Sequence, residues 1–237
     1  MKISYATISK TGRRPKNEDS FKVIETPDVG RWMGIVCDGM GGHVMGEVAS
    51  STVVNAISRY WTKHIDKPDS EEKVAKARIS ASSSLDDKAI NKGFARMGTT
   101  MVMASIEEGN KVTIAHIGDS RCYLLRPSHF DNDNTSEDHV IYQTKDHVRN
   151  DYGWEMVARC FFSFKPEVAV PDIVQFELQS GDRIFLCSDG VYKCIDPKIL
   201  NALLLEDKTP EEVANEIDLI CQKRAYDNYT AIMVRIY

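Results

Sequence analysis

The chain has 237 residues, of which 42% are hydrophobic and 27% are charged. That length provides one large domain with a full core or two small ones, and the composition is ordinary for a soluble globular protein. A net charge of −5 argues against a surface that binds nucleic acid or anionic membranes. No apolar run approaches the roughly 20 residues needed to cross a bilayer, and the N-terminus lacks the apolar stretch of a signal peptide, so we expect a cytoplasmic protein.

The first half of the chain predicts strands, then two helices, then strands again. Alternating and apolar segments predict strands over residues 3–8, 21–24, 32–37, 100–106 and 112–117. Apolar residues at helical spacing predict a helix over residues 44–61. A second helix follows Pro68, with Asp69 as its N-cap and Glu72 three residues later, and it stops at Gly93.

The second half is again rich in strands and ends with a pair of helices and a last strand. The strand patterns cover residues 121–125, 140–143, 173–178, 183–187 and 229–236. We predict a short helix over residues 150–159. An N-cap at Asp196 starts a helix that runs through Leu205. Thr209 and Glu212 form a capping-box signal that starts the last helix.

The order of these elements indicates the fold class. Strands come in runs joined by tight turns and helices come in consecutive pairs, which is not the strict alternation of a parallel doubly wound fold. This favours an α+β fold with two antiparallel sheets covered by helices. A polar, Asn- and Asp-rich loop spans residues 129–138. There is no repeat and no Pro-, Ser- or Gly-rich linker, so we predict one domain over residues 1–237.

The six cysteines are interpreted as thiols. None belongs to a CxxC pair, and both Cys37 and Cys187 lie inside apolar strand patterns. Without a secretory signal, buried free thiols in a reducing compartment explain an even number of cysteines better than disulfides do.

Five aspartates interrupt apolar segments at the ends of predicted strands or in turns between them: Asp19, Asp38, Asp119, Asp189 and Asp227. Each alone is most simply a turn or cap residue. Together they can converge at one edge of a sandwich, where lone charges are costly unless they are paired or bind a metal. Glycines after Asp38 allow the backbone to approach a ligand closely.

A cluster of this kind predicts metal-assisted chemistry on phosphorus. Oxygen ligands select hard cations such as Mg²⁺ or Mn²⁺, and no group of histidines or pair of cysteines competes for a softer metal. Two ions about 3.5–4 Å apart would lower the pKa of a bridging water, which then attacks phosphorus in line. Arg13 and Arg14 are the candidates for a phosphate clamp.

Seven motifs then resemble one family. They are NED at 17–19, DGMGGH at 38–43, MGTT at 97–100, GDSR at 118–121, TKDH at 144–147, SDG at 188–190 and DNYT at 227–230. In this order they resemble the metal-dependent type 2C (PPM) serine/threonine phosphatases of the bacterial type. The resemblance spans nearly the whole chain. It implies a four-layer α-β-β-α sandwich with two antiparallel sheets flanked by helix pairs.

The resemblance also implies a set of metal ligands. Asp38 would bridge two Mn²⁺ or Mg²⁺ ions, and the carbonyl of Gly39 would bind the first. Asp189 and Asp227 would hold the second ion. Asp119, together with Asp189, would bind a labile third ion.

Other roles follow from the same motifs. Asp19 would orient metal-bound water and Arg14 would clamp the substrate phosphate, with Arg13 as an alternative because the loop is short. The family's animal members carry a proposed general acid, a histidine, where this chain has Met40, so the proton donor is unassigned. For His43 we favour a helix cap or local packing residue over the alternative of phosphate binding or proton donation.

The chain departs from the family pattern in two segments. Residues 146–171 are short, and residues 156–160 stand where bacterial members have the usual flap sequence beside the active site. After the SDG motif, Lys193 and its neighbours replace acidic or small residues. We interpret Asp146 and His147 as structural residues that tie down the next loop.

We therefore expect an enzyme that hydrolyses phosphoserine and phosphothreonine in proteins by direct attack of a metal-bridging hydroxide. No Cys-x5-Arg motif is present, which argues against a covalent phosphocysteine. The substrates would come from a serine/threonine kinase, and the protein would be a monomer with no nucleic-acid or membrane partner. Two alternatives stay open, namely a non-catalytic phosphoprotein-binding module on the same fold and a phosphohydrolase of small phosphate esters.

Overall fold

The computed structural model describes residues 2–40, 45–93, 95–127, 139–151 and 153–237. Its strands are, in chain order, β1 (Ile3–Lys10), β2 (Asp19–Thr26), β3 (Arg31–Asp38), β4 (Gly98–Thr99), β5 (Met101–Glu107), β6 (Lys111–Ile117), β7 (Arg121–Leu125), β8 (Val140–Gln143), β9 (Val148–Asp151), β10 (Trp154–Val157), β11 (Phe161–Phe162), β12 (Asp172–Glu177), β13 (Arg183–Cys187) and β14 (Tyr229–Ile236). Its helices are α1 (Gly46–Lys63), α2 (Glu71–Asn91), α3 (Asp189–Tyr192), α4 (Pro197–Leu205) and α5 (Pro210–Arg224).

Two five-stranded sheets form the centre of the molecule. The first has the order β1-β14-β13-β7-β8 and the second has the order β12-β6-β5-β3-β2. Neighbouring strands within both sheets are antiparallel. The chain passes from one sheet to the other between β1 and β2, between β6 and β7, between β8 and β12, and between β12 and β13. This confirms the predicted α+β class.

Three apolar clusters separate four layers. Between the sheets, Val36 and Val102 of the second sheet meet Leu186 and Ile232 of the first, and all four are fully buried. Helices α1 and α2 bury a second cluster against the outer face of the second sheet. Helices α4 and α5 do the same on the first sheet. Each such apolar side chain contributes about 1.5–3 kcal/mol by leaving water, so the layers hold one another in place.

Helix α2 begins one residue later than the sequence suggested. Its N-cap is Ser70, whose hydroxyl accepts a hydrogen bond from the amide of Lys73 at 3.2 Å. Asp69 is not the cap because its side chain turns into the protein. There it is almost fully buried and accepts hydrogen bonds from the ammonium of Lys73 at 2.7 Å and from the hydroxyl of Ser105.

The short helix predicted over residues 150–159 is wrong. That segment forms a β-hairpin in which β9 and β10 are antiparallel, with Val157 opposite Val148 and Trp154 opposite Asp151. Gly153 has a φ of +86°, a left-handed conformation that glycine adopts without strain and that lets the chain reverse. The polar loop predicted at residues 129–138 lies outside the described residues.

The six cysteines are free thiols, as predicted. The Sγ atoms of Cys194 and Cys221 lie 3.5 Å apart between α3 and α5. Among the described residues, none of the helices has the length and apolar character that a membrane crossing would require.

Candidate metal centre

Two of the predicted carboxylates meet at the end of one pair of strands. Asp19 is the first residue of β2 and Asp38 is the last residue of β3, and the antiparallel register places them directly opposite each other. The amide of Gly39 then donates to the carbonyl of Glu18 at 3.1 Å, so the two backbone segments stay paired beyond the ends of β2 and β3. Sheet register therefore brings two negative charges together at this edge.

Gly39 is required by close backbone packing. A Cβ at this position would lie 2.3 Å from the carbonyl oxygen of Gly46 and 2.6 Å from that of Glu18. The start of α1 can therefore approach β3 only if residue 39 has no side chain. The backbone of Asp38 is held in turn by two hydroxyls, since Thr99 Oγ1 donates to its carbonyl at 2.8 Å and its amide donates to Thr100 Oγ1 at 2.9 Å.

The remaining three carboxylates come from the crossover and from the first sheet. Asp119 lies in the connection from β6 to β7, Asp189 begins α3 directly after β13, and Asp227 lies just before β14. They line one cleft of about 140 Å³ with other predicted residues. The cleft is bordered by Arg14, Glu18, Asp38, Gly39, Met40, Thr100, Asp119, Val157, Asp189 and Asp227.

Asp19 lies opposite Asp38, a residue of this cleft, and connects the two sheets through Ser188. Its Oδ2 accepts the hydroxyl proton of Ser188 at 2.7 Å, while its Oδ1 is buried without a hydrogen-bond partner. Asp189 Oδ1 is also buried and has no partner. A buried carboxylate oxygen without a donor is costly, and a cation satisfies it. The two oxygens therefore fit a metal site.

The electrostatics of the cluster favour bound cations as well. Burial, followed by the charges of Asp189 and Asp227, raises the pKa of Asp19 to about 7. Burial and the charge of Asp189 raise the pKa of Asp119 to about 6. The pKa of Asp38 is raised well above its usual range by burial and by Asp19 and Asp189. Carboxylates that cannot all ionise next to one another are ready to exchange protons for hard divalent ions.

Arg14 lies at the mouth of the cleft. Its Nη2 donates to Asp227 Oδ2 at 2.7 Å, and both side chains are about half exposed. Asn228 fixes the loop that carries this arginine, since its Nδ2 donates to the carbonyls of Thr11 and Lys16 at 2.9 and 2.8 Å. The guanidinium is thus held beside the carboxylates while half of it faces solvent.

Arg13, the alternative phosphate ligand, points elsewhere. Its Nη2 donates to the carbonyl of Lys223 at 3.1 Å, and its guanidinium lies 4.3 Å from the centre of the Tyr226 ring. Of the two arginines, only Arg14 lines the cleft.

The motif at residues 144–147 is structural, as predicted. Asp146 receives two hydrogen bonds from Arg121, from Nε at 2.9 Å and from Nη2 at 2.7 Å. His147 Nδ1 accepts from the amide of Gly118 at 3.2 Å. Both contacts fix the β6–β7 connection next to Asp119. On the hairpin that follows, Val157 reaches the wall of the cleft.

The sequence indicated no histidine cluster, but the fold brings His116, His147 and Asp172 within metal-binding distance of one another. Arg159 already lies among them. Its Nη1 is 3.0 Å from His147 Nε2, and its Nη2 donates to Asp172 Oδ1 at 2.9 Å. An internal cation therefore balances this group, which is separate from the carboxylate cluster.

All seven predicted site residues are therefore close together, and four further residues join them. Glu18 and Thr100 line the cleft although the motifs that contain them gave neither a role, and Val157 comes from the hairpin that was predicted as helix. Lys193 donates to Asp189 Oδ2 at 2.6 Å. Burial disfavours its ammonium, but the aspartates more than offset this and raise its pKa. His43, with the adjacent glycines at 41 and 42, lies outside the described residues.

Comparison with known proteins agrees with this geometry. The family described as protein phosphatase 2C matches residues 10–227. The chain belongs to that family, which confirms the resemblance drawn from the motifs.

Individual relatives are bacterial phosphatases. The chain is 29% identical over 252 residues to the serine/threonine protein phosphatase PstP of Mycobacterium tuberculosis, covering 99% of this chain and 45% of that protein. It is 30% identical over 241 residues to the serine/threonine phosphatase stp of Listeria monocytogenes, covering 93% and 90%. A structure of the catalytic domain of PstP in complex with two manganese ions superposes with a TM-score of 0.76 at 26% identity, covering 99% and 98%. The chain thus spans a little under half of the full mycobacterial protein.

Proposed function

We propose that this chain is a Mn²⁺- or Mg²⁺-dependent phosphatase of phosphoserine and phosphothreonine in proteins. The observation that carries the proposal is the pair of buried, unpartnered oxygens, Asp189 Oδ1 in the cleft that Arg14 also lines and Asp19 Oδ1 opposite Asp38. Cations would satisfy the oxygens and a phosphate dianion would pair with the arginine. The phosphatase names of the relatives support the same assignment.

The residues divide into metal ligands and a phosphate ligand. Asp38, the carbonyl of Gly39, Asp189 and Asp227 would hold two ions. When bound, such ions activate a water molecule at neutral pH and screen the charge of the phosphoryl oxygens. Asp19, fixed by the hydroxyl of Ser188, would orient the attacking water.

Arg14 would bind the substrate phosphate. Its planar fork of donors matches two phosphate oxygens, and half of the side chain is already open to solvent. Binding of phosphate would replace part of its contact with Asp227, which is then free to serve a metal ion. Substrate and metal binding would therefore support each other at this residue.

The biological setting is also a proposal. The chain would act in the cytoplasm as a monomer and a single domain, and it would remove phosphate from proteins modified by a serine/threonine kinase. The net charge of −5 would give only a weak preference for basic sequences around the phosphorylated residue.

Phosphate release from a phosphothreonine peptide tests the proposal. We expect turnover with Mn²⁺ that is lost in EDTA and falls by at least about a thousandfold in Asp189→Asn, because a metal ligand supplies several kcal/mol to the transition state. Asp218→Asn is the matched control, since this aspartate of α5 contacts Gln222 and Tyr229 outside the cleft. It should keep nearly full activity.

Two results would redirect the assignment. If a folded protein shows no turnover with any divalent metal, the chain is a binding module rather than an enzyme. If nucleotides and sugar phosphates are hydrolysed faster than phosphopeptides, it is a phosphohydrolase of small esters.

A further inference from the structure

Helix α3 carries a lysine to the edge of the carboxylate cluster. Lys193 follows Asp189 by four residues, and its amide donates to the Asp189 carbonyl at 2.9 Å, which completes one helical turn. Its Nζ lies 2.6 Å from Asp189 Oδ2 and 3.5 Å from Asp119 Oδ2. One ammonium group therefore bridges the two carboxylates that the motifs assign to a third metal ion.

Neighbouring contacts hold the two segments that this lysine bridges, α3 and the β6–β7 connection. The hydroxyl of Tyr192 donates to the Asp119 carbonyl at 3.0 Å, so α3 and the β6–β7 connection are joined next to the lysine. The guanidinium of Arg121 lies 3.5 Å from the centre of the Tyr192 ring and also binds Asp146. The distance between Asp119 and Asp189 is thus set by neighbouring contacts, and the lysine spans it.

Burial shows which side of the pair the lysine occupies. The side chain of Lys193 is 49% exposed, whereas those of Asp119 and Asp189 are 8% and 17% exposed. The ammonium therefore covers the two carboxylates from the solvent side. The two oxygens of Asp189 therefore differ. Oδ2 accepts a hydrogen bond from the lysine, whereas Oδ1 is buried and has no hydrogen-bond partner.

A divalent ion between Asp119 and Asp189 would compete with this ammonium. Both cations would need the same oxygens, and like charges at contact distance repel strongly in a partly buried site. The lysine is covalently attached, so its effective concentration at the two carboxylates is high at every metal concentration. Asp189 Oδ1 stays available to the second ion of the main site.

We propose that Lys193 is a built-in cation that takes the place of a third metal ion, so that this protein holds two ions. The inference rests on one part of the proposed function, namely that two ions bind at the main site formed by Asp38, Asp189 and Asp227. Lys193 acts as a positioning residue, because it holds Asp119 and Asp189 in place without touching the substrate.

Counting bound Mn²⁺ tests this without an activity assay. Equilibrium dialysis and anomalous diffraction should give two ions per chain in the wild type and three in Lys193→Met, the third lying between Asp119 and Asp189. Lys193→Gln should behave like Lys193→Met. Adding Asp119→Asn to Lys193→Met should return the count to two. Lys198→Met, an exposed lysine of α4, should leave it at two.

The outcomes separate this inference from the proposed function. Three ions in the wild type, or two in both Lys193 variants when thermal unfolding shows them to be folded, would overturn the role of the lysine. Two ions in the wild type and three in Lys193→Met, without turnover of any phosphopeptide, would refute the phosphatase assignment and leave the built-in cation standing.

Discussion

Asp19→Asn should stabilise the metal-free protein, because Asp19 is a buried carboxylate whose Oδ1 has no donor. Burial and its acidic neighbours raise its pKa to about 7 from an ordinary value of 3.8. A tenfold change in an acid dissociation constant corresponds to about 1.36 kcal/mol, so ionised Asp19 costs the folded state at most about 4 kcal/mol. An asparagine keeps an acceptor for the hydroxyl of Ser188 and removes the negative charge.

The effect has a defined pH window. Below pH 3.8 the Asp19 carboxyl is protonated in both the folded and the unfolded protein, so it costs nothing. Between pH 3.8 and about 7 the unfolded chain releases its proton first, and stability is lost as the pH rises. Above pH 7 the full penalty is present. The gain from Asp19→Asn should therefore be largest at pH 8 and small at pH 4.5.

Urea unfolding in EDTA measures this difference directly. We expect a higher midpoint for Asp19→Asn than for the wild type at pH 8 and similar midpoints at pH 4.5. Saturating Mn²⁺ should reverse the order at pH 8, because ligand binding to the folded state stabilises the wild type more strongly than a variant that has lost this carboxylate.

A second buried aspartate provides the control. Asp182 is fully buried, but its carboxylate accepts hydrogen bonds from Nε and Nη2 of Arg126 at 2.7 and 2.8 Å and from the amide of Gln179 at 2.8 Å. Asp182→Asn should lose about 2 kcal/mol with or without metal, since it weakens charge-assisted hydrogen bonds. If Asp19→Asn also destabilises the protein in EDTA at pH 8, the reasoning about an uncompensated carboxylate is wrong.

Three other substitutions test the close packing at Gly39 and the buried polar groups Lys73 and His116. Gly39→Ala should cost about 1–3 kcal/mol and weaken Mn²⁺ binding, since its Cβ would lie 2.3 Å from the Gly46 carbonyl; unchanged melting and metal titration would contradict this. Lys73→Met should cost about 1.5–3 kcal/mol in urea unfolding, because it removes the closer of the two cations that contact buried Asp69 and leaves only Arg31 Nη1 at 3.3 Å; an unchanged midpoint would show that Arg31 alone balances this carboxylate. Burial lowers the pKa of His116 below 6.5, so the unfolded chain gains a proton there before the folded protein does as the pH falls. Between pH 6.5 and 5.5 the wild type should lose up to about 1 kcal/mol more than His116→Phe, and parallel pH profiles would refute this.

Local signals predicted the elements that depend on local chemistry. The capping box of α5 is confirmed, with the amide of Glu212 donating to Thr209 Oγ1 at 3.2 Å and the amide of Thr209 donating to Glu212 Oε2 at 2.8 Å. The last strand has the predicted bounds, because the largely apolar segment YTAIMVRI follows a turn. The convergence of the five aspartates was also predictable, since each lies at the start or the end of an apolar segment.

Tertiary contacts decided what the sequence did not reveal. Asp69 has the right spacing for an N-cap, but a buried lysine attracts its side chain inward. The β9–β10 hairpin has no clear alternation, and its form depends on antiparallel pairing across a turn at Gly153. Lys193 departs from the family pattern in sequence, but its contact with Asp189 requires the four-residue helix α3, which is too short to give a periodic signal.

The origin of the carboxylates has a consequence for metal preference. Asp19 and Asp38 are fixed to one sheet and Asp189 and Asp227 to the other, so the spacing of the ligands depends on how the two sheets pack. A close-packed interior transmits small shifts over its whole thickness. Substitutions such as Val36→Ile would then change the selectivity between ions of different radius from a distance. A search for variants with altered ion preference should therefore include the inter-sheet core as well as the ligands.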